Sequence, residues 1–254
     1  MISLRLKVLI FFLTISFSSH SQGFSFAEPT RVFSLDNMDL DILPDFEEKT
    51  ILGTAKLTLT PFRSSQNKIS LDAQFMVIHR VEMNSKSLEF NYDGKKLSIE
   101  LGKSIAKGES FEIVVEYTAR PNRAGKIDSS KSRGFYFMDS KTAWTDGITN
   151  SNSIWFPTID EPNQRMTQRI AITVPKELLT VSNGVLEKQV ALANSKRKDI
   201  WVLDSQHAPY LAFLAIGDYK KISISKQTGK PSLSYYVSPD FADVSSQVFE
   251  NNNK

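Results

Sequence analysis

The chain has 254 residues, with 31 Lys and Arg against 28 Asp and Glu, three histidines and no cysteine. A balanced charge with one short basic run argues against a nucleic-acid or anionic-membrane footprint, which needs a clustered basic face. The absence of cysteine excludes disulfides, a thiol nucleophile and a lipidated cysteine anchor, so the fold must rest on a hydrophobic core.

The first segment has the three-part layout of a secretory signal peptide. Arg5 and Lys7 precede an apolar run from Val8 to Phe17, and Ser18, Ser19 and Ser21 follow. The run is too short to span a bilayer, so no stable membrane anchor is expected. Cleavage after Ser21 or after Ala27 would place small residues at the cut, giving a leader of 1–21 or 1–27 and an exported protein, periplasmic or extracellular. Loss of Arg5 and Lys7 lowers the formal charge from +3 to +1. The remainder, on the order of 230 residues, is long enough to bury about 70% of its unfolded surface without cross-links.

Apolar and polar residues then alternate with the period of two that marks half-buried strands. From Thr30, Phe33 and Leu35 interleave with Ser34 and Asp36, and Leu40 and Ile42 with Asp39 and Asp41, until Pro44-Asp45 breaks the run. Ile51 to Leu59 alternates and ends at Pro61; Ile69 and Leu71 start a short strand. Phe75 to Met83 is apolar and β-branched around His79. Leu88–Tyr92 and Lys96–Leu101 read as a hairpin across Asp93-Gly94, whose glycine tolerates a positive φ. Gly102 to Gly108 is a predicted loop, and Phe111 to Tyr117 a strand. Residues 121–153 are predicted as mostly loop, holding one aromatic strand, Gly134–Met138, and Trp144; aromatics in a connection this long favour a functional reading.

Arg169 to Val174 alternates as far as Pro175. Leu178–Val181 leads to Asn183-Gly184, a hairpin signal. Lys196-Arg197-Lys198 reads as a solvated turn before a strand at Ile200–Leu203. Tyr210–Ile216, Ile222–Ser225 and Leu233–Val237 are the last predicted strands. About a dozen strands with turns between them predict an all-β sandwich or curled sheet. Phe241, Val244, Val248 and Phe249 then recur at helical spacing.

Known catalytic signatures are missing. There is no H-E-x-x-H, no G-x-S-x-G and no G-x-G-x-x-G. His20 falls in the leader; His79 and His207 read as structural, since nothing in their spacing supplies the partners a metal or catalytic site needs. Asp160 and Glu161 are adjacent, so on extended backbone they point to opposite sides and cannot flank one bond. They read instead as acceptors for backbone N–H groups in a turn stiffened by Pro157 and Pro162.

Several runs in order resemble a known family: Gly134-Phe135-Tyr136-Phe137, Trp155-Phe156-Pro157 with Asp160-Glu161-Pro162, Ile172–Pro175, Leu179–Gly184, His207–Leu211 and Ile216–Tyr219. Together they resemble the N-terminal β-domain of the zinc aminopeptidase N family, which includes leukotriene hydrolase, over roughly residues 30 to 240. The resemblance implies an all-β fold, a curved saddle-like sheet or β-sandwich over 28–237, with residues 238–254 a short C-terminal helical stub of a catalytic domain. It also implies zinc in the full-length family, although no cofactor or metal ligand is expected within this chain. The family's Thr-Gln pair, which helps hold the substrate's N-terminal residue, falls by spacing on Thr145 and Asp146. Aspartate attracts an ammonium group but cannot donate as an amide does, and Ile148 stands where related sequences often carry glutamate. The expected role is an exported substrate-recruiting domain of a zinc aminopeptidase, truncated before the zinc site and inactive alone, with a peptide N-terminus as its partner if a catalytic domain completes it. The alternative is a secreted non-enzymatic β-sandwich binding peptide, glycan or a separately encoded catalytic half, with Trp144 as its loop aromatic.

Overall fold

The computed structural model describes residues 31–123, 134–148, 150–223, 233–245 and 248. The expected leader, 1–21 or 1–27, and Phe249 of the expected C-terminal helix lie outside them. In chain order the strands are β1 (Phe33–Asp45), β2 (Thr50–Pro61), β3 (Gln66–Asp72), β4 (Met76–Met83), β5 (Lys86–Ser87), β6 (Phe90–Tyr92), β7 (Lys96–Ile105) and β8 (Phe111–Ala119). They continue as β9 (Gly134–Phe137), β10 (Ala143–Asp146), β11 (Met166–Pro175), β12 (Leu179–Ser182), β13 (Val185–Ala191), β14 (Lys196–His207), β15 (Leu214–Gly217), β16 (Lys220–Ser223) and β17 (Ser234–Val237). The fold is all-β, as the alternation predicts.

Eight strands form one sheet in the order β13-β14-β11-β1-β2-β8-β4-β5. A four-stranded sheet runs β12-β15-β10-β9, a three-stranded one β3-β7-β6, and β16 pairs with β17. In the large sheet β1 and β11 are parallel, with Asn37 opposite Thr167 and Ile42 opposite Ile172. Parallel neighbours need a long crossover; here the whole three-stranded sheet and strands β9 and β10 of the four-stranded sheet lie within it, while β12 and β15 follow β11. One face of the large sheet carries Leu40, Leu57, Ile113 and Val115, all fully buried. The other face pairs charges across strands: Lys56 with Glu112, Arg80 with Glu116 and Arg169 with Asp39. Such exposed pairs contribute little each; burial of the apolar face, at ~1.5–3 kcal/mol per large side chain, holds the sheet.

The core is continuous. Residues of the eight-stranded sheet pack in one cluster with Ile69, Leu71, Leu97 and Ile99 of the three-stranded sheet and Phe135, Phe137, Leu214 and Ile216 of the four-stranded sheet.

Six sequence expectations are corrected. Pro44 does not break β1; it sits beyond the stretch paired with β11 and opposes Ile51 of β2 alone, so its missing N–H interrupts no inner ladder. Gly102–Gly108 is not all loop, because β7 continues to Ile105 over a bulge against β3, with Gly102 at φ +67°. Lys196-Arg197-Lys198 is the start of β14; the turn is made by Asn194 and Ser195, at φ +56° and +55°. Asn183-Gly184 joins β12 to β13, which belong to different sheets, and is not a hairpin. Residues 209–211 form a 3-10 turn, so only Leu214–Gly217 of the Tyr210–Ile216 run is strand. Trp144 lies on β10, stacked on Tyr136 with ring centroids 4.5 Å apart, and not in a loop.

Candidate functional site

The end of β10 and the connection from it to β11 carry the predicted Thr145-Asp146 pair and the Trp155–Pro162 motif. On β10, Thr145 and Asp146 pair with Phe135 and Gly134 of β9. Thr145 is buried, and its hydroxyl oxygen accepts from the Leu214 N–H at 2.9 Å. That oxygen is therefore committed to the neighbouring strand. Asp146 is half-buried, and its carboxylate accepts from the Ile148 N–H at 3.2 Å, closing a tight local turn.

Gly147 follows, and its backbone is pressed against the 3-10 turn at 209–211. A Cβ there would lie 2.1 Å from the Tyr210 carbonyl oxygen and 2.7 Å from the Asn152 amide nitrogen. Gly134, at φ +66°, is crowded in the same way by the Ser151 carbonyl, 1.9 Å from where a Cβ would stand. These two contacts fold the polar stretch back onto the four-stranded sheet.

Asn152 is fully buried and fully used. Its amide donates to the carbonyls of Pro209 at 2.7 Å and Ala212 at 3.1 Å, and its oxygen accepts from the Trp155 indole N–H at 2.7 Å. Trp155, fully buried, lies 4.5 Å from Phe156 and 5.9 Å from Phe135 between ring centroids. Pro157 is buried beside them, while Pro162 is exposed. Thr158 forms a two-residue bridge with Asp72 at the end of β3, with hydrogen bonds of 2.7 and 3.0 Å.

Asp160 turns inward and Glu161 does not. Asp160 is 3% exposed; one carboxylate oxygen accepts from the Ser153 N–H at 2.9 Å, and the other is buried with no hydrogen bond among the described residues. Its own N–H donates to Asp72 at 3.2 Å. Burial pushes its pKa up to about 6, opposed by hydrogen bonds from Ser153 and assisted by repulsion from Asp72. Glu161 is half-buried, and its backbone closes turns with Ile159 and Gln164.

Four residues of this region escape a reading of the sequence. Asn152 hides in a polar run that looks like a loop. Gln164 is buried, taking the Leu35 N–H at 2.9 Å and giving to the Phe33 carbonyl at 3.2 Å, with no pattern to mark it. Asp72 and Gln74 meet the connection from over 75 residues away, Gln74 through Ser153.

The residues present do not fit a zinc ion. Among the described residues no group of three or more His, Asp or Glu could hold a metal. His79 sits at a bulge of β4, exposed, with Nε2 against the Thr118 hydroxyl at 2.8 Å. His207 is half-buried at the end of β14, Nδ1 against the Ala208 carbonyl at 2.9 Å, and burial lowers its pKa. Five strand steps separate β14 from β4, about 24 Å, so the two rings cannot share a metal.

These features define an all-β domain in which the buried run Trp155–Asp160 links the four-stranded sheet, at Phe135, to the three-stranded sheet, at Asp72. The chain belongs to the peptidase M1 N-terminal domain family, whose profile matches residues 34–211. It is 22% identical over 219 residues to leukotriene A-4 hydrolase of Xenopus laevis, covering 80% of this chain and 34% of that protein. It is 28% identical over 244 residues to human glutamyl aminopeptidase, covering 84% and 24% respectively. The chain thus spans about a third or less of these relatives. In fold it matches an M1 zinc metallopeptidase from Deinococcus radiodurans with a TM-score of 0.70 at 16% identity, over 83% of this chain and 48% of that one. Legionella pneumophila aminopeptidase A, solved with aspartic acid, gives 0.70 at 20% identity over 84% and 25%.

Proposed function

We propose that this chain is the exported, substrate-recruiting N-terminal domain of a zinc aminopeptidase, acting with a zinc-bearing domain supplied outside residues 1–254. The observation that carries the reading is the family match over 34–211, joined to a residue set that does not fit zinc. The relatives' names, glutamyl aminopeptidase and leukotriene A-4 hydrolase, support a peptidase context. Asp146, at the position the family's glutamine takes, supplies a carboxylate to attract a peptide's free ammonium. Ile148, Phe241 and Val248, 65%, 62% and 68% exposed, offer apolar surface to the zinc domain. Export rests on the layout of residues 1–21, and no described helix is long and apolar enough to cross a membrane.

The test uses alanyl and leucyl amides. The purified chain is expected to give no turnover with or without zinc, because no set of its described residues fits a zinc ion that would bring bound water to a pKa near 7. Added to an M1 zinc-bearing domain, it should raise turnover, and Asp146→Ala should raise KM more than it lowers kcat. Zinc-dependent turnover by the chain alone would sink the reading. Export is checked by N-terminal sequencing of the protein recovered outside the cytoplasm, with a start at residue 22 or 28 expected.

A further inference from the structure

A hollow of about 330 Å³ opens where the connection into β4, the β6–β7 turn and the end of β8 meet. That volume is at the lower end of the range of small-ligand sites. Its polar lining is strongly biased. Arg120 and Arg123 stand on one wall and Lys95 on the rim, against a single carboxylate, Asp93. Asp93 is already engaged by its own turn, accepting from the N–H groups of Lys95 at 2.8 Å and Lys96 at 2.7 Å. Those bonds hold its pKa below the usual carboxylate range.

Arg120 carries the argument. Its Nε is buried with no hydrogen-bond partner among the described residues. A buried donor on a charged group without an acceptor is costly, and native structures rarely keep one without a reason. Its main chain is fixed at the hollow, because the Arg120 N–H donates to the Phe75 carbonyl at 3.0 Å. The Arg123 N–H donates to the Arg120 carbonyl at 3.0 Å, closing a one-turn 3-10 segment that brings the second guanidinium to the same wall.

The apolar side of the hollow is also built at a cost. Phe75 adopts φ +56°, a conformation that a bulky residue rarely takes outside sites where the surroundings impose it. It is fixed by a bond from its N–H to the Gly94 carbonyl at 3.1 Å. The Tyr92 hydroxyl accepts from the Met76 N–H at 3.0 Å, which turns its ring to the same space.

We propose that this hollow is a binding site for a small oxyanion, a carboxylate or a phosphate, carried on a compact apolar body. Arg120 and Arg123 take the oxygens in the bidentate manner that guanidinium groups favour, and Phe75 and Tyr92 cover the apolar part. The site lies outside the Thr145–Pro162 region. It adjoins that region in space, because the N–H of Gln74, next to Phe75, donates to the Ser153 carbonyl at 2.7 Å.

Calorimetric titration of the full chain tests this with N-acetyl-L-phenylalanine, its C-terminal amide and inorganic phosphate. The acid should bind at least tenfold more tightly than the amide, and phosphate should compete with it. Arg123→Gln should weaken the acid about tenfold, the loss of one charge-assisted hydrogen bond, and Arg120→Gln by more. Circular dichroism reports whether Arg120→Gln folds, and the exposed Arg123→Gln decides if it does not. Binding of phosphate without the acid keeps the site and assigns phosphate; the converse assigns a carboxylate. Equal binding of acid and amide, indifference to both arginine substitutions, or no anion binding at about 10 mM, weaker than any specific site of this size should be, overturns the proposal.

Discussion

A carboxylate as deeply buried as Asp160 needs several donors to stay ionised. It has the Ser153 N–H on one oxygen and nothing among the described residues on the other, with Asp72 close by. Its pKa rises from 3.8 in the unfolded chain to about 6 in the folded one. Between those values the folded state holds more protons than the unfolded state, so stability falls as pH rises through the window. The contribution is complete below 3.8 and lost above about 6. A gap of about two units corresponds to roughly 3 kcal/mol. Urea denaturation of the native protein and Asp160→Asn across pH 4 to 7 should therefore show the native protein losing roughly 2 kcal/mol relative to the variant; a constant difference would refute the assignment. The residue pattern marks Asp160 as an acceptor for backbone N–H groups but hints at neither its burial nor its raised pKa. Adjacency of Asp160 and Glu161 excludes a catalytic pair, but which of the two turns inward depends on Ser153 and Asp72, and Asp72 is 88 residues away.

Single strands reveal how local chemistry joins separate sheets. Asp199 on β14 is buried and accepts from Arg197 at 2.6 and 2.8 Å, from Thr180 of β12 at 2.7 Å and from Gln189 of β13 at 2.9 Å. Burial pushes its pKa up, yet these donors outweigh burial and hold it below the usual range. Trp201 completes the set by donating to the Thr180 hydroxyl at 2.9 Å. Asp199→Ala would strand the guanidinium and the hydroxyl together, so a loss of about 3–5 kcal/mol in denaturant titration is expected. A loss below about 1 kcal/mol would mean that Arg197 finds other acceptors, since it already donates to the Lys176 and Leu178 carbonyls. The strands themselves were legible because a period of two is local. Even the bulge in β1 left a trace: the buried set shifts phase between Leu35 and Met38, where pairing with β2 slips at Asp36. Partner choice was not legible. Lys196-Arg197-Lys198 reads as a turn because its acceptors, Asp41 and Asp199 among them, come from elsewhere in the fold or follow the run. Asn183-Gly184 signals a tight turn, but a turn alone does not reveal whether the next strand stays in the same sheet.

The whole molecule behaves as one cooperative body if its core is one body. The eight-, four- and three-stranded sheets contribute to a single apolar cluster, while β16 and β17 contribute nothing to it among the described residues. The family was legible because its runs are local; zinc enters through that resemblance alone, since no set of the described residues fits the ion. Leu57, fully buried in the middle of β2, touches the centre of this core. Leu57→Ala should cost about 3–5 kcal/mol through lost burial and the cavity left behind. The distribution of that loss separates one body from several. A protein with Trp144 and Trp201 changed to Phe keeps Trp155 as its sole indole, and Trp155 is packed against Phe135 of the four-stranded sheet. If the sheets share one core, damage at Leu57 in the large sheet moves the Trp155 fluorescence midpoint as far as the far-UV circular dichroism midpoint, and the two curves coincide. If the sheets unfold separately, the dichroism midpoint shifts and the indole midpoint does not, because Trp155 would report only the small sheet and the link that Asn152 anchors to it.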